Sequence, residues 1–315
     1  MMSGKRVIVT GGAGFIGSHL VDELLFFKHE VIVIDNLSLG KRENIHPRIF
    51  DERTFFRYDI RNLQQIRPLF DGVDCVFHLA AHPRIQPSII DPITSFENNV
   101  TGTLNVLMAA KEAGVKKLVF SGSSSVYGDQ EFSPPYGEDR IPSPKNPYAQ
   151  FKLDSERHCL MFNKLYNLPV VCFRYFNVYG ERQSTGGAYA TVVGIFLRQL
   201  ERGEPLTIVG DGEQSRDFTY VQDVVRANIA AANSSSAVGE VINIGSGEDF
   251  SINEVAGMIV GKELKGVQYL PVRPGEARET LANISKAKQL LGWQPWVRLS
   301  DWLKYQINKE QPSAV

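Results

Sequence analysis

Gly11-Gly12-Ala13-Gly14-Phe15-Ile16-Gly17 is the stretch whose reading organises the rest of the chain. It lies between a β-rich run, Arg6–Thr10, and an amphipathic helical pattern, Phe15–Lys28. Glycine at 11, 14 and 17 removes three Cβ atoms. The turn can then be tight, the backbone can approach a pyrophosphate, and the helix can pack close to the strand. The helix start offers free N–H groups to that phosphate. The second strand, Glu30–Asp35, ends on a carboxylate that can accept hydrogen bonds from adenosine ribose hydroxyls. No arginine follows it directly to receive a 2′-phosphate, so the pattern reads as a site for NAD rather than NADP.

Outward from the loop, short apolar runs alternate with helical patterns. Asn62–Phe70 reads as a short helix, Asp74–Ala81 as a strand, and Asp91–Glu112 as a helix with Val100, Leu104 and Leu107 on one face. Lys117–Ser121, Pro147–Tyr166 and Pro169–Asn177 continue the rhythm as strand, helix and strand. Nearly continuous apolar strands separated by helices predict an α/β fold, a doubly wound parallel sheet covered on both faces. After Gly180 the rhythm breaks. Tyr189–Arg202, Gln222–Asn233, Ser251–Val260 and Ile284–Leu291 read as helices, Pro205–Val209 and Glu240–Ile244 as strands. The expected organisation is a dinucleotide-binding domain over 1–180 and a smaller C-terminal α/β lobe over 181–315. A return strand near 240–245 is expected in the main sheet, and the tail 310–315 is expected to fray.

The chain has 315 residues, 43% apolar and 22% charged, with a net charge of −1. That balance gives no basic footprint for nucleic acid and no charged face for a membrane. Cys75, Cys159 and Cys172 are scattered and read as buried thiols in a reducing compartment. No h-region follows Met1 and no apolar run approaches the roughly 20 residues of a membrane span, so a cytoplasmic protein is expected. His78 and His82 have no evident third partner, so no metal is expected. Trp293, Trp296 and Trp302 read as packing residues.

Tyr148-Ala149-Gln150-Phe151-Lys152 puts a phenol and an ammonium at i and i+4, on one face of a helix that Pro147 can open. A free tyrosine titrates near ~10. A neighbouring cation, Lys152 or a nicotinamide ring, would favour the phenolate. Tyr148 could then exchange a proton with a sugar hydroxyl while hydride moves. The run Ser121-Gly122-Ser123-Ser124-Ser125-Val126-Tyr127-Gly128 comes directly after a strand, at the sheet edge where ligands bind, and a serine there can position the reacting hydroxyl.

With these residues the chain resembles the extended short-chain dehydrogenases, specifically the nucleotide-sugar epimerases and dehydratases, over about residues 5–305. The blocks that carry the resemblance are Thr10–Gly17, His78–Ala81, Asn98–Thr103, Ser123–Gly128, Tyr148–Lys152, Arg174–Gly180, Gly210–Phe218 and Arg273–Glu276. The resemblance implies a Rossmann-type sheet. It implies NAD contacts from Gly11, Gly14, Phe15, Ile16, Gly17, Asp35, Asn36, Asp59, Ile60, Leu79, Ala80, Ala81, Asn99, Ser121, Tyr148, Lys152 and Tyr175. It implies catalysis by Tyr148, Lys152 and Ser123, with Ser124 and Ser125 beside them. Contacts to a UDP-sugar would come from Arg84, Ser123, Ser125, Tyr148, Asn177, Ala188, Val192, Arg216, Arg273, Glu276 and Thr280, the two arginines 216 and 273 holding phosphates.

Within the resemblance, 4,6-dehydratases carry Asp-Glu after the hydroxyl residue, and UDP-glucuronate decarboxylases a glutamate two places before the Val-Tyr-Gly tyrosine. Ser124 and Ser125 stand there instead, which leaves 4-epimerisation. The stretches Arg182–Ala190 and Gly275–Ala287 are similar to UDP-N-acetylglucosamine 4-epimerases, and UDP-glucose 4-epimerases stand close by. In that family the position of Thr280 gates the pocket, and a small residue admits an N-acetyl group. Hexosamine substrates are therefore expected, with UDP-Glc and UDP-Gal beside them. UDP-glucuronate 4-epimerase is the alternative, with Arg84 available for a C6 carboxylate, although its relatives tend to have threonine where Asn177 stands. A non-catalytic dinucleotide binder would usually lack Tyr148 or Lys152. Relatives pair the helices of 91–112 and 147–166 into a dimer interface, so a homodimer is expected.

Overall fold

Alternation within each strand sorts the side chains onto two faces. In the computed structural model, which describes residues 4–49, 53–130 and 133–310 (Ala188 and Glu310 by backbone only), the first strands are β1 (Arg6–Thr10) and β2 (Glu30–Ile34). Val7, Val9, Val31 and Val33 enter a core on one face, while Ile8, Ile32 and Ile34 enter a second core on the other. Every one of these side chains is buried. Burial on both faces is why the strands read as unbroken apolar runs, and each such side chain is worth about 1.5–3 kcal/mol.

Between β1 and β2 runs α1 (Phe15–Phe26). The first half continues with β3 (Phe55–Phe56), α2 (Leu63–Ile66), β4 (Cys75–His78), α3 (Ile85–Ile90) and α4 (Pro92–Phe96). It ends with α5 (Gly102–Glu112), β5 (Lys117–Ser123), α6 (Pro147–Tyr166) and β6 (Val170–Tyr175). The later part adds β7 (Val178–Tyr179), α7 (Val192–Glu201), β8 (Leu206–Val209), β9 (Ser215–Asp217), β10 (Thr219–Tyr220) and α8 (Val221–Asn233). Then come β11 (Val241–Ile244), β12 (Asp249–Ser251), α9 (Ile252–Val260), β13 (Val267–Leu270), α10 (Ser285–Leu291) and α11 (Leu299–Glu310). The tail expected to fray lies, beyond Glu310, outside the described residues.

The main sheet has seven strands in the order β11-β6-β5-β4-β1-β2-β3, all parallel. It is a doubly wound, Rossmann-type α/β sheet. The order turns back between β1 and β4, which opens a crevice at their C-terminal ends. α1 and α8 cover one face through Leu20, Leu24, Val224 and Val225; α5 and α6 cover the other through Val106, Leu107, Cys159 and Phe162. A separate core, with Val193, Phe196, Ile208, Val255 and Trp302, holds the C-terminal elements outside the sheet.

One helix departs from its sequence pattern. The single helix expected over Asp91–Glu112 is α4, a π-helical turn at Glu97–Thr101, and α5. The wide turn rotates α5 relative to α4, so Leu104 is exposed while Val100 and Leu107 are buried. Its cause is one diverted carbonyl: that of Asn99 accepts the hydroxyls of Thr103 (2.6 Å) and, from α6, Ser155 (2.7 Å), which draws it from regular helical pairing.

That turn is wired to β1 through the sheet. The Ala80 N–H donates to Thr10 Oγ1 at 3.2 Å, and His78 Nδ1 lies 2.7 Å from the same oxygen. His78 Nε2 lies 2.9 Å from Thr103 Oγ1, whose proton is committed to Asn99. The chain of bonds is satisfied in one direction, with the Thr10 hydroxyl donating to Nδ1 and Nε2–H donating to Thr103. Burial keeps His78 neutral by pushing its pKa down to about 3. The unfolded chain takes up this proton below about 6.5 and the folded chain does not, so stability from His78 is complete above that pH and declines as pH falls toward about 3. Urea unfolding at stepped pH should show this slope, and His78→Gln should flatten it. Thr103→Val should cost on the order of 1–3 kcal/mol by orphaning the imidazole N–H.

Candidate active site

The crevice is a cleft of about 580 Å³, within the range that holds a small-molecule ligand. Its floor is the glycine loop. Gly11 has φ +73°, and a Cβ there would lie 2.7 Å from the Ala80 nitrogen. A Cβ on Gly17 would lie 2.1 Å from the Gly11 carbonyl oxygen. Gly14 caps α1 without any side-chain hydrogen bond, so the helix N-terminus faces the cleft with N–H groups to offer an anion. Asp35, just past β2, is buried and lines the same cleft. Its carboxylate accepts the N–H groups of Ala13 (3.0 Å) and Leu37 (2.8 Å), which oppose the upward push of burial on its pKa. Phe15, Ile16, Asn36, Ile60, Leu79, Ala80, Ala81, Ser121 and Tyr175 complete this wall. Cβ-free approach, an uncapped helix start and a carboxylate at the next strand end fit a dinucleotide.

The opposite wall starts at α6. Asn146 caps the helix by accepting the Ala149 N–H (2.9 Å), and Pro147 occupies its first turn. The Tyr148 N–H, which a helix start leaves unpaired, donates to Ser88 Oγ on α3 at 3.0 Å. Tyr148 and Lys152 face the cleft one turn apart. The Lys152 ammonium donates to the Ser121 carbonyl at 2.8 Å, and burial pushes its pKa down to about 8. Tyr148 departs from expectation: burial raises the phenol, and the groups that pull it back are the Ser123 hydroxyl and the Arg84 guanidinium. Ser123 and Ser125 share a hydrogen bond of 2.8 Å, and Ser124 lines the cleft beside them.

The C-terminal elements close the remaining side. Asn177 donates its amide to the Asp217 carbonyl (2.9 Å) and to Thr280 Oγ1 (3.3 Å). Thr280 is held in an extended segment by its N–H to Ser215 O and its carbonyl from Asp217 N–H. Arg216 lies 3.6 Å from Glu276, a long ion pair. Arg273 is exposed at the rim, and Val192 opens α7 against the cleft.

Two expected residues are not in the wall, and the side chain of a third lies outside what is described. Asp59 pairs with Arg61 at 2.8 Å and accepts the Asn36 amide, which holds its pKa near about 2. Asn99 spends its amide on the N–H and carbonyl of His82, both at 3.0 Å, and stands behind the surface while Asn98 lines it. Ala188 falls in the short turn Gly187–Tyr189, and its side chain lies outside the described residues. The cleft also contains residues that sequence reasoning missed: Lys145, Gln86, Phe218 and Tyr189. Tyr189 and Phe218 lay in blocks singled out from the sequence, and Lys145 and Gln86 did not. His78 and His82 do not face one another's partners, since His82 bonds the Tyr189 hydroxyl at 2.8 Å. None of the tryptophans lines the cleft; Trp293 and Trp302 donate to Asp223 and Glu181, and Trp296 stacks on Arg226. The three cysteines are buried free thiols. Among the described residues no helix is long and apolar enough to cross a membrane.

The NAD dependent epimerase/dehydratase family model matches residues 7–245. The UDP-glucuronate 4-epimerase of Thermodesulfobacterium geofontis is 35% identical, over 96% of this chain and 94% of its own length. The crystal structure of UDP-glucose 4-epimerase from Thermotoga maritima with UDP-glucose superposes with a TM-score of 0.90 at 38% identity, covering 96% of this chain and 97% of that one. UDP-N-acetylglucosamine 4-epimerase from Methanobrevibacter ruminantium M1, in complex with UDP-N-acetylmuramic acid, superposes with a TM-score of 0.90 at 37% identity, covering 98% of both chains.

The glycine geometry yields a test that needs no substrate. Gly17→Ala must push α1 off the Gly11 carbonyl, at a cost of about 1–3 kcal/mol. The variant should melt at a lower temperature and purify without dinucleotide; an unchanged melt with dinucleotide retained would contradict the close approach.

Proposed function

The chain belongs to the NAD-dependent epimerase/dehydratase family, and we propose that within it this protein interconverts the 4-epimers of UDP-N-acetylhexosamines, and of UDP-glucose and UDP-galactose. It is an NAD-dependent UDP-sugar 4-epimerase; the choice of sugar is the proposal. The observation that carries it is Thr280, a small side chain that lines the cleft beside Asn177; a small residue here favours a sugar with an N-acetyl group.

When bound, NAD supplies the hydride acceptor and donor for C4 of the sugar. The chain's own groups manage the proton and the geometry. Tyr148 takes the C4 hydroxyl proton and later returns it to the C4 oxygen, once the sugar has turned its other face to the hydride. Ser123, whose hydroxyl is a neighbour that pulls the phenol's pKa back down against burial, orients the C4 hydroxyl. Ser125 holds Ser123. Lys152, fixed on the Ser121 carbonyl, lies one turn along the same face. Arg216 and Arg273 offer guanidinium donors to the diphosphate, and the 3.6 Å length of the Arg216–Glu276 pair leaves Arg216 able to turn to it. Glu276 would then meet the nucleotide side of the cleft.

A second reading has one observation in its favour. Arg84 lies beside Tyr148, where a C6 carboxylate would come to rest near a reacting C4, so a uronate is the alternative substrate. A silent dinucleotide binder fits poorly, because it would have no use for an enclosed phenol and ammonium on one helix face.

The protein is further proposed to act as a homodimer. Ile90 is 81% exposed and Ile93 71%, and Phe96, Leu104, Leu165 and Tyr166 extend this apolar face over α4, α5 and α6. A second copy would cover it.

A substrate panel checks the sugar. The unmodified protein should interconvert UDP-GlcNAc and UDP-GalNAc, and Thr280→Tyr should lose this while keeping UDP-Glc and UDP-Gal; turnover of UDP-glucuronate alone would select the second reading. Tyr148→Phe should slow turnover by about a hundredfold or more with dinucleotide still bound. Sedimentation should find a dimer, and Ile93→Glu a monomer.

A further inference from the structure

Arg84 stands at a strained point of the backbone, with φ +83° and ψ 148°, a region that residues with a Cβ rarely enter. Such strain persists only where the surroundings over-determine it. Here they do. The Arg84 Nε donates to the Tyr189 carbonyl at 3.1 Å, and the Tyr189 hydroxyl is bonded to His82 at 2.8 Å. His82 is in turn gripped through both its N–H and its carbonyl by Asn99. On the other side, Arg84 leads directly into α3, whose Ser88 receives the Tyr148 N–H at 3.0 Å. Arg84 and Tyr148 therefore ride on one tied unit.

The Nε bond is the only hydrogen bond or ion pair Arg84 makes among the described residues. Both Nη groups are left for the cleft that Arg84 lines. A guanidinium half-buried without a carboxylate requires some other counter-charge. The remaining charged groups of the cleft are Asp35, Lys145, Lys152, Arg216, Arg273 and Glu276. Of these, Lys152, on Tyr148's own helix, donates to the Ser121 carbonyl, and Arg216 faces Glu276; against the upward push of burial, the phenol is favoured as phenolate by the Ser123 hydroxyl and by Arg84.

We propose that Arg84 is a positioning residue for the acid–base step: its guanidinium, locked by the Tyr189 carbonyl and a strained backbone, is the fixed cation that stabilises the phenolate of Tyr148. The role usually looked for in the i+4 ammonium is thus shared with a residue from the loop after β4. This rests on Tyr148 as the proton-transfer group and is independent of which sugar binds.

The test reads the phenol directly. Near-ultraviolet phenolate absorbance is titrated in the purified holoprotein, and Tyr148→Phe identifies the transition that belongs to Tyr148. A cation favours the phenolate, so removing it moves the transition to higher pH. Arg84→Met should shift it up by roughly one unit or more, and Arg84→Lys, which keeps the charge without the Nε lock, should lie between. The acidic limb of kcat against pH should move by the same amount. Retained dinucleotide and a thermal melt identify a variant that has merely misfolded, and Arg84→Lys then carries the comparison. Coincident titrations for Arg84→Met and the unmodified protein would overturn the proposal, as would the absence of any transition that Tyr148→Phe removes. A rise in KM confined to uronates with an unchanged titration would also overturn it, assigning Arg84 to the sugar. Inactivity on every UDP-sugar with the phenol shift intact would sink the substrate reading and leave this one standing.

Discussion

The contact between the Gly17 backbone and the Gly11 carbonyl is the constraint on which the site depends. With 2.1 Å between that oxygen and any Cβ at 17, only glycine lets α1 start so close to the end of β1. The helix axis is thereby aimed into the crevice between β1 and β4, where the strand order turns back. Because Gly14 has no side chain to cap α1, the unpaired N–H groups remain for a ligand. Gly11 adds a second close approach, to the Ala80 backbone, which fixes the loop after β4 against the loop after β1. The same few glycines thus set helix direction, phosphate site and cleft width together.

A buried polar chain carries this arrangement across the sheet. Thr10, next to Gly11, joins through His78 to Thr103 and so to the Asn99 carbonyl. Each donor and acceptor in that chain has one compatible direction, and a fully satisfied buried network specifies a single geometry. Its far end opens the π-helical turn, and Ser155 of α6 closes on the same carbonyl. The helix that carries Tyr148 and Lys152 is therefore registered against the strand that carries the glycine loop. This is why two short motifs far apart in sequence face one another across one cleft.

The features legible in the sequence are the local ones. Glycine spacing, the carboxylate at the end of β2 and the Tyr148–Lys152 helical spacing depend on neighbours within one element, and the structure places them together. The outward turn of Leu104 was not legible, because it depends on hydroxyls from Thr103 and a separate helix diverting one carbonyl. Asp59 and Asn99 have the right residue types, but long-range partners, Arg61 with Asn36 and His82, hold them off the cleft wall. Lys152 shares with Tyr148 the face that helical periodicity gives it, while the carbonyl on β5 that receives its ammonium comes from a separate element. Tyr189 and Gln86 reach the cleft only because the turn Gly187–Tyr189 and the start of α3 meet in three dimensions, for which a sequence contains no period to read.

The acid–base inventory of the cleft then limits its chemistry. Among the described residues its lining has two carboxylates, Asp35 and Glu276. Asp35 sits at the end of β2 and is occupied by backbone donors, while Glu276 faces Arg216. Neither accompanies Tyr148, whose neighbours are hydroxyls and a guanidinium. Eliminating water across C5 and C6 needs a base for one carbon and an acid for the leaving hydroxyl, at the sugar itself. Serines at 124 and 125 supply neither at neutral pH. A proton shuttle confined to one phenol can, however, serve an oxidation at C4 and its reversal, because each consumes what the other produces. The protein is left with a reaction that begins and ends at one hydroxyl, and the feature it must add is room for the sugar to turn. Thr280, small and tied back to Asn177, lines that same cleft.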